Sequence, residues 1–297
     1  MAEQAAVNRR VGGSKPSSGA LLAKSRRVVA AEYGVPFPDD LFAFHEFMRA
    51  EPKRCRALGL SPDGPLALLA NKDRPPREDR FFNDPPEFFT VLRGPADGLH
   101  WGYWFDHPAE LKPVVVSYDA NDAFEIHADG ATLFEAVRKY LERSDPDAAD
   151  HAAAREALAK YAPALRKRRE VGDAYLKKYG DGALRKATVQ TRTRIGIVVD
   201  KKRYRPLGKR DPFTKKKGDY WPEAADVKRF VAAARKASAD GFPGTALKLG
   251  HDLWMYRDHH AASHEMLGLA YSALGRDALK SQLARAIAYR KRYGGSR

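Results

Sequence analysis

Residues 88–118, FFTVLRGPADGLHWGYWFDHPAELKPVVVSY, decide the fold class of this chain. Short runs rich in aromatic and β-branched residues at 88–92, 99–104 and 113–118 predict three strands. Residues 93–98 join the first two runs and contain two glycines and a proline, a composition typical of a hairpin loop. A hairpin followed by a third strand indicates an antiparallel sheet.

Apolar residues at helical spacing lie on both sides of these strands. Before them, Asp39 or Asp40 is predicted to cap a helix whose apolar face includes Leu41, Phe44 and Phe47. After them, the helical patterns cover residues 133–144, 148–179, 223–238, 246–257 and 261–292, the last with a break at Gly275. Alternating β-branched residues at 187–206 predict a hairpin that turns at Asp200-Lys201-Lys202.

These patterns predict an α+β fold. The strand-rich N-terminal part contains the antiparallel sheet, and the more helical C-terminal part contains a β-hairpin. We expect a disordered basic tail at 1–30, an N-terminal α+β domain at 31–150, and a mainly helical domain at 151–297 with its hairpin near 187–206. A length of 297 residues suits one large or two medium domains.

The net charge of +15 is concentrated in one part of the chain. Residues 31–150 carry thirteen basic and twenty-three acidic residues, whereas residues 160–217 carry twenty basic and five acidic ones. Such an asymmetry predicts an acidic partner, either nucleic acid or the acidic surface of a protein. Arg166-Lys167-Arg168-Arg169, Lys201-Lys202-Arg203 and Lys215-Lys216-Lys217, interleaved with tyrosines, are candidate phosphate contacts.

Cys55 is the only cysteine, which excludes an internal disulfide framework and a Cys-based zinc site. It predicts an intracellular location, in the cytoplasm or nucleoid, or in the nucleus of a eukaryote. No apolar run approaches the length of a membrane span, and no secretory leader is recognisable, so we expect no membrane association.

Common catalytic signatures are missing from the sequence. It contains no phosphate-binding glycine loop of the P-loop or dinucleotide type and no Gly-x-Ser-x-Gly nucleophile turn. His260 and His264 have the i, i+4 spacing of zinc ligands, but a third ligand is not evident and an ordinary structural role is the simpler interpretation. We therefore predict neither a metal nor a cofactor bound by this chain alone.

Several separated blocks, in the same order, resemble the histone PARylation factor family, whose members are accessory proteins of poly(ADP-ribose) polymerases. The resemblance covers roughly residues 35–292. Its blocks are Phe37-Pro38-Asp39-Asp40-Leu41-Phe42, Asp84-Pro85-Pro86-Glu87-Phe88, His100-Trp101-Gly102-Tyr103-Trp104-Phe105-Asp106, Gly196-Ile197-Val198-Val199 with Tyr204-Arg205, and Leu247-Lys248-Leu249-Gly250-His251-Asp252-Leu253-Trp254.

The resemblance implies that the chain binds the catalytic domain of a PARP-type ADP-ribosyltransferase and completes its active site. In the family, a carboxylate of the accessory protein acts as general base on an acceptor serine. That hydroxyl then attacks the riboside carbon of NAD, which the partner holds. A positioned carboxylate of this kind contributes on the order of 10²–10⁴-fold to the rate.

The family's functional residues are transferred to this sequence by position. Counting back from Leu247 without a gap, the catalytic glutamate of the family falls on Asp240, and Ala239 stands where the family has a second carboxylate. Tyr204 and Arg205 match the family's Tyr-Arg pair, whose arginine contacts the polymerase and orients the catalytic carboxylate.

The alternative to this accessory function is that the chain is a basic module that binds nucleic acid or protein without a catalytic role.

Overall fold

The structure is a computed structural model. It describes residues 18–71, 80–95, 98–107, 113–120, 125–145, 147–179, 189–208 and 222–293. The α-helices are α1 (Ser18–Tyr33), α2 (Asp39–Ala50), α3 (Pro52–Ala57), α4 (Gly64–Ala70), α5 (Leu133–Ser144), α6 (Ala149–Ala159), α7 (Arg166–Tyr179), α8 (Ala224–Ala239), α9 (Pro243–Leu253), α10 (His260–Leu274) and α11 (Asp277–Tyr293). The strands are β1 (Ser61–Pro62), β2 (Phe88–Arg93), β3 (Leu99–Trp104), β4 (Val114–Asp119) and β5 (His127–Gly130).

The five strands form one antiparallel sheet in sequence order, with β2, β3 and β4 at its centre. The α+β class and the three strands predicted from residues 88–118 are confirmed. Helix α4 packs against β2, whereas α5 and α7 contact β4 and β5. Trp101, Tyr103 and Trp104 of β3 are each almost fully buried, because the central strands are covered by helices as well as by their neighbours.

Helix α1 corrects the prediction of disorder for the tail. Residues 18–33 are helical, and residues 1–17 lie outside the described part of the chain. Tyr33 is buried, and its carbonyl accepts a hydrogen bond of 2.9 Å from the Gln282 side chain of α11. Arg285 of α11 donates to the carbonyl of Glu32 at 2.8 Å. The partner helix lies about 250 positions away in sequence, so local composition could not reveal this contact.

The predicted cap of α2 is also wrong. Pro38 occupies the N-cap position without a side-chain cap. Asp40 is buried, and its carboxylate accepts hydrogen bonds from the Tyr103 hydroxyl at 2.8 Å, the Leu133 amide at 2.9 Å and the Arg168 guanidinium at 3.0 Å. The sequence pattern identified the start of the helix but not the long-range partners that turn this carboxylate inward.

The hairpin predicted for 187–206 does not form with its turn at residues 200–202. An isolated antiparallel bridge joins Val189 to Ile197, and the turn lies between them. Lys201–Arg203 instead form a short 3-10 helix, whose Lys202 amide donates to the Asp200 carboxylate at 2.9 Å. An aspartate that binds the amide two residues ahead favours such a turn over an extended strand.

The helical C-terminal part follows the predicted pattern, including the break at Gly275, whose positive φ of 67° ends α10. The helical pattern predicted over 148–179 is divided into α6 and α7 by turns at residues 160–165. All eleven residues of α9 are buried. The Trp254 indole, just after α9, donates to the carbonyl of Asn83 at 2.8 Å, a contact between the two predicted parts. Whether the chain divides at 150/151 stays a prediction.

Candidate functional site

Asp240 lies in the tight connection between α8 and α9. It caps the C-terminus of α8, where its amide donates to the carbonyl of Lys236 at 2.9 Å. Gly241 follows with φ at +94°, a conformation that favours glycine. Pro243 then begins α9, where a missing amide hydrogen costs nothing. The connection is therefore short and fixed at both ends, which defines the backbone position from which the Asp240 carboxylate projects.

Arg205 reaches the same place from the segment that follows the 3-10 helix. Thr245 of α9 fixes this segment, because its Oγ1 accepts a hydrogen bond from the Arg205 amide at 3.0 Å and donates to the Arg205 carbonyl at 2.6 Å. Gly244 allows the close approach: a Cβ there would lie 2.8 Å from the carbonyl oxygen of Arg203. Tyr204 is half-buried and packs against the core.

The side chains of Arg205 and Asp240 meet at the surface. The Arg205 Nη1 lies 3.2 Å from Asp240 Oδ2, and the Arg205 guanidinium carbon lies 3.9 Å from the centroid of the Phe242 ring. Lys236, one turn earlier in α8, places its Nζ 3.2 and 3.4 Å from the two carboxylate oxygens. The side chains of Arg205 and Asp240 are 51% and 35% exposed, so a partner protein can reach both.

The two cations make Asp240 a weak base in the free chain. The hydrogen bond from Lys236 and its charge, together with those of Arg205, lower the pKa of the Asp240 carboxyl, while its partial desolvation acts in the opposite direction. The carboxylate is therefore ionised near neutral pH. It has the charge that a proton acceptor needs but a reduced affinity for the proton.

The sequence predicted Asp240, Arg205 and Tyr204, and the structure brings Asp240 and Arg205 together. The sequence did not identify Lys236, Phe242 or Thr245 as parts of this site. The i, i+4 spacing of Lys236 and Asp240 could have revealed their pairing. The contacts of Phe242 and Thr245 with Arg205 join segments about 40 positions apart, and no local pattern encodes them.

Comparison with known sequences identifies the family of this chain. A sequence model described as "HPF1: Histone PARylation factor 1" matches residues 24–290. The chain belongs to the histone PARylation factor 1 family. Its relatives include Histone PARylation factor 1 of Bos taurus, 26% identical over 85% of this chain and 83% of that protein, and of Mus musculus, 28% identical over 89% and 86%. The Danio rerio protein is 27% identical over 89% and 85%.

The Asp84-Pro85-Pro86-Glu87 block, part of the resemblance to histone PARylation factors, supplies structure here. Asp84 accepts hydrogen bonds from Thr90 at 2.5 Å and the His100 ring at 2.9 Å. Glu87 accepts from Tyr271 at 2.7 Å and the His251 ring at 3.0 Å. Burial raises the pKa of each carboxyl, but these partners outweigh it and lower both pKa values. Both carboxylates are fully enclosed and tie elements together.

The histidines considered as zinc ligands lie in a cationic environment. The rings of His260 and His264 stack, with centroids 5.8 Å apart, and Arg290 Nη1 lies 3.4 Å from His264 Nε2. Burial and the charge of Arg290 lower the pKa of His260 to about 3 and of His264 to about 4. Within the described ranges, no cluster of three or more His, Cys, Asp or Glu side chains is placed to hold a metal ion.

Where the structure describes the basic stretch 160–217, at residues 160–179 and 189–208, its cations do not form a continuous exposed patch. Arg168 is nearly buried against Asp40, whereas Arg166 pairs with Glu170 and Arg169 with Glu135 and Asp173. Lys215-Lys216-Lys217 lie outside the described residues. Nucleic-acid binding through this stretch stays an untested alternative.

None of the helices in the described part of this family member is long and apolar enough to cross a bilayer.

Proposed function

We propose that this chain is an accessory factor for a PARP-type ADP-ribosyltransferase, to whose active site it adds the Asp240 carboxylate. Family membership supports the role. The observation that carries the proposal is the meeting of Arg205 and Asp240 at 3.2 Å on an accessible surface, although they come from sequence blocks 35 positions apart. Asp240 and Arg205, whose roles were assigned independently from two sequence blocks of the family, are thus neighbours in space.

The proposed chemistry is general-base catalysis on an acceptor serine. A serine hydroxyl is a poor nucleophile at neutral pH, so a carboxylate that takes its proton accelerates the attack. As the proton moves to Asp240, the serine oxygen bonds to the ribose carbon that carries nicotinamide in NAD. The bond from that carbon to the nicotinamide nitrogen breaks, and nicotinamide leaves with the electron pair. NAD is held by the transferase, and this chain supplies no cofactor.

Docking on the transferase is expected to activate Asp240. Because Lys236 and Arg205 lower its pKa, the carboxylate of the free chain attracts protons weakly. If Arg205 turns to an acidic group of the transferase, Asp240 loses one of its cations, and burial under the partner raises its pKa further. Tyr204 lies beside Arg205, so we assign both to the docking surface. We also propose an intracellular location, where the transferase and its acceptor protein would meet.

The test combines the full chain with a PARP-type transferase from the same source, NAD and a serine-containing acceptor peptide. We expect the wild-type chain to increase modification of serine. The Asp240→Asn variant should reduce that increase on the order of 10²–10⁴-fold, because the amide cannot accept the proton.

Asp226→Asn provides the matched control, since Asp226 lies in the first turn of α8, at the opposite end from Asp240, and likewise pairs with an arginine, Arg229, at 2.7 Å. This variant should match the wild type. If the wild-type chain changes neither the rate nor the modified residue type, the accessory role is wrong. If it stimulates and Asp240→Asn stimulates equally, the role stands but Asp240 is not its base.

A further inference from the structure

A cavity of about 500 Å³ lies beside the 3-10 helix that leads to Arg205. Its walls come from residues 105–107 after β3, from Pro113 before β4, from α7, from the segment 198–203, and from the end of α10 with Arg276 just after it. This volume falls in the range of about 300–1,000 Å³ in which proteins commonly bind small molecules. None of its lining residues belongs to the Asp240 site.

Two arginines line this cavity without a carboxylate partner. Arg276 is only 6% exposed and donates to the carbonyl of Val198 at 2.7 Å. Arg203 donates to the carbonyl of Ala273 at 2.8 Å. Among the described residues, neither guanidinium forms a salt bridge. A nearly buried cation without a counter-charge is costly, which favours an anionic ligand.

The carboxylates that line the cavity are already engaged. Asp106 accepts a hydrogen bond from the Trp104 indole at 2.9 Å, and Asp200 accepts one from the Lys202 amide at 2.9 Å. Each guanidinium keeps further N–H donors in a planar arrangement that matches an oxyanion. With Lys178, which also lines the cavity, the lining carries three basic and two acidic side chains, so its net charge is positive.

The remaining walls suit a flat ring. Tyr175 and Tyr179 of α7 both line the cavity, and their ring centroids lie 4.7 Å apart. The apolar side chains of Val171, Ala174 and Leu274 complete this side. Aromatic and aliphatic surface next to a few cations is the usual composition of a site for an aromatic phosphate.

We propose that this cavity binds a small aromatic phosphate of about mononucleotide size, with the phosphate at Arg203 and Arg276 and the ring at the tyrosines. The proposal is independent of the role of Asp240. The cavity is bounded by the segment that carries Arg203, directly before Tyr204 and Arg205, so an occupant would contact the element that presents the docking pair.

Calorimetric titration of the full chain with adenosine 5′-monophosphate, adenosine and inorganic phosphate tests this assignment. We expect saturable binding of the monophosphate. Adenosine and inorganic phosphate should each bind at least about tenfold more weakly, because adenosine lacks the phosphate and inorganic phosphate lacks the aromatic ring. Absence of saturable monophosphate binding, or equal binding of adenosine, would overturn the proposal.

Two variants on exposed positions place the ligand without disturbing the core. Ala174→Phe places a large side chain in the cavity from α7, and Arg203→Gln removes one of the two guanidinium groups. Each variant should weaken monophosphate binding about tenfold or more. Ala153→Phe on α6 and Arg49→Gln on α2 make the same exchanges at exposed sites elsewhere and should bind like the wild type. Unchanged affinity in Ala174→Phe would show that the ligand binds outside this cavity.

Discussion

Thr245 holds Arg205 by both main-chain polar groups: its Oγ1 accepts from the Arg205 amide at 3.0 Å and donates to the Arg205 carbonyl at 2.6 Å. One buried hydroxyl on α9 thus fixes the backbone from which the arginine reaches Asp240. Because α9 is enclosed along its whole length, this attachment ties the backbone at Arg205, whose side chain is exposed, to a core helix.

Replacing Thr245 with valine keeps the shape of the side chain and removes both hydrogen bonds. We expect the free energy of unfolding to fall by about 1–3 kcal/mol, because the main-chain groups of Arg205 lose their partner. Stimulation of the transferase should fall as well, since Arg205 is no longer held. Thr245→Ser, which retains the hydroxyl, should restore both properties. Denaturant unfolding and the serine-modification assay measure them; a valine variant as stable and active as the wild type contradicts the attachment.

Lys236 should control the proton affinity of Asp240. Lys236→Met removes the larger of the two cationic influences, so the pKa of the Asp240 carboxyl should rise toward its ordinary value of 3.8. NMR titration of the aspartate carboxyl carbons detects the change. Lys228→Met, at another exposed position of α8, should leave this pKa unaltered. Equal pKa values in both variants would show that Lys236 does not act on Asp240.

Tyr271 should stabilise the fold through the buried Glu87 carboxylate. Tyr271→Phe removes a hydrogen bond of 2.7 Å to a charged acceptor, which costs about 1.5–3 kcal/mol in the free energy of unfolding. The exposed Tyr293→Phe serves as the control and should change stability by less than about 0.5 kcal/mol.

The effect of Tyr271→Phe should also depend on pH. The pKa of Glu87 is lower in the folded state than its ordinary value of 4.5. A depressed carboxyl pKa contributes stability above the unfolded pKa, and that contribution is lost as pH falls through the folded pKa. The stability difference between Tyr271→Phe and the wild type should therefore be constant near neutral pH and narrow under acidic conditions. Denaturant unfolding at several pH values tests this, and a difference that widens in acid would contradict it.

Substitutions of the adjacent residues Lys167 and Arg168 should differ strongly in their effect on the free energy of unfolding. Arg168→Gln leaves Asp40 buried without its cation, and we expect it to lower the free energy of unfolding by about 3–5 kcal/mol. Lys167→Gln, at an exposed position, should change it by less than about 0.5 kcal/mol. Thermal and urea unfolding decide the matter. Similar effects from the two substitutions would mean that Arg168 is not a structural residue.

Sequence reasoning worked best where the signal is local. The aromatic strands at 88–118 and the C-terminal helices, with their break at Gly275, follow from periodicity and turn residues within short windows. Helix α1 was missed because it is held by contacts with α4 and by hydrogen bonds from α11, near the opposite end of the chain, which no local window contains. The predicted turn of the hairpin at residues 200–202 is wrong: the antiparallel bridge joins Val189 to Ile197, and the Asp200 side chain binds the Lys202 amide and closes a separate turn.

The candidate site shows the same limit. The resemblance to histone PARylation factors indicated Asp240 and Arg205, but their neighbours Phe242 and Thr245 are recognisable only once the chain is folded. Conversely, the run Arg166–Arg169 suggested a uniform patch, and the structure separates it into a buried structural arginine and exposed residues.

The complete enclosure of α9 has a consequence for genetics. Random substitutions between residues 243 and 253 should reduce the amount of protein in the cell, and the loss of function they cause will follow from that loss. Alleles that abolish partner activity while protein levels stay normal should therefore concentrate at a few positions that are at least partly exposed: Tyr204, Arg205 and Asp240. A screen that measures protein abundance and activity for each variant would therefore identify the surface that acts on the transferase without a structure of the complex.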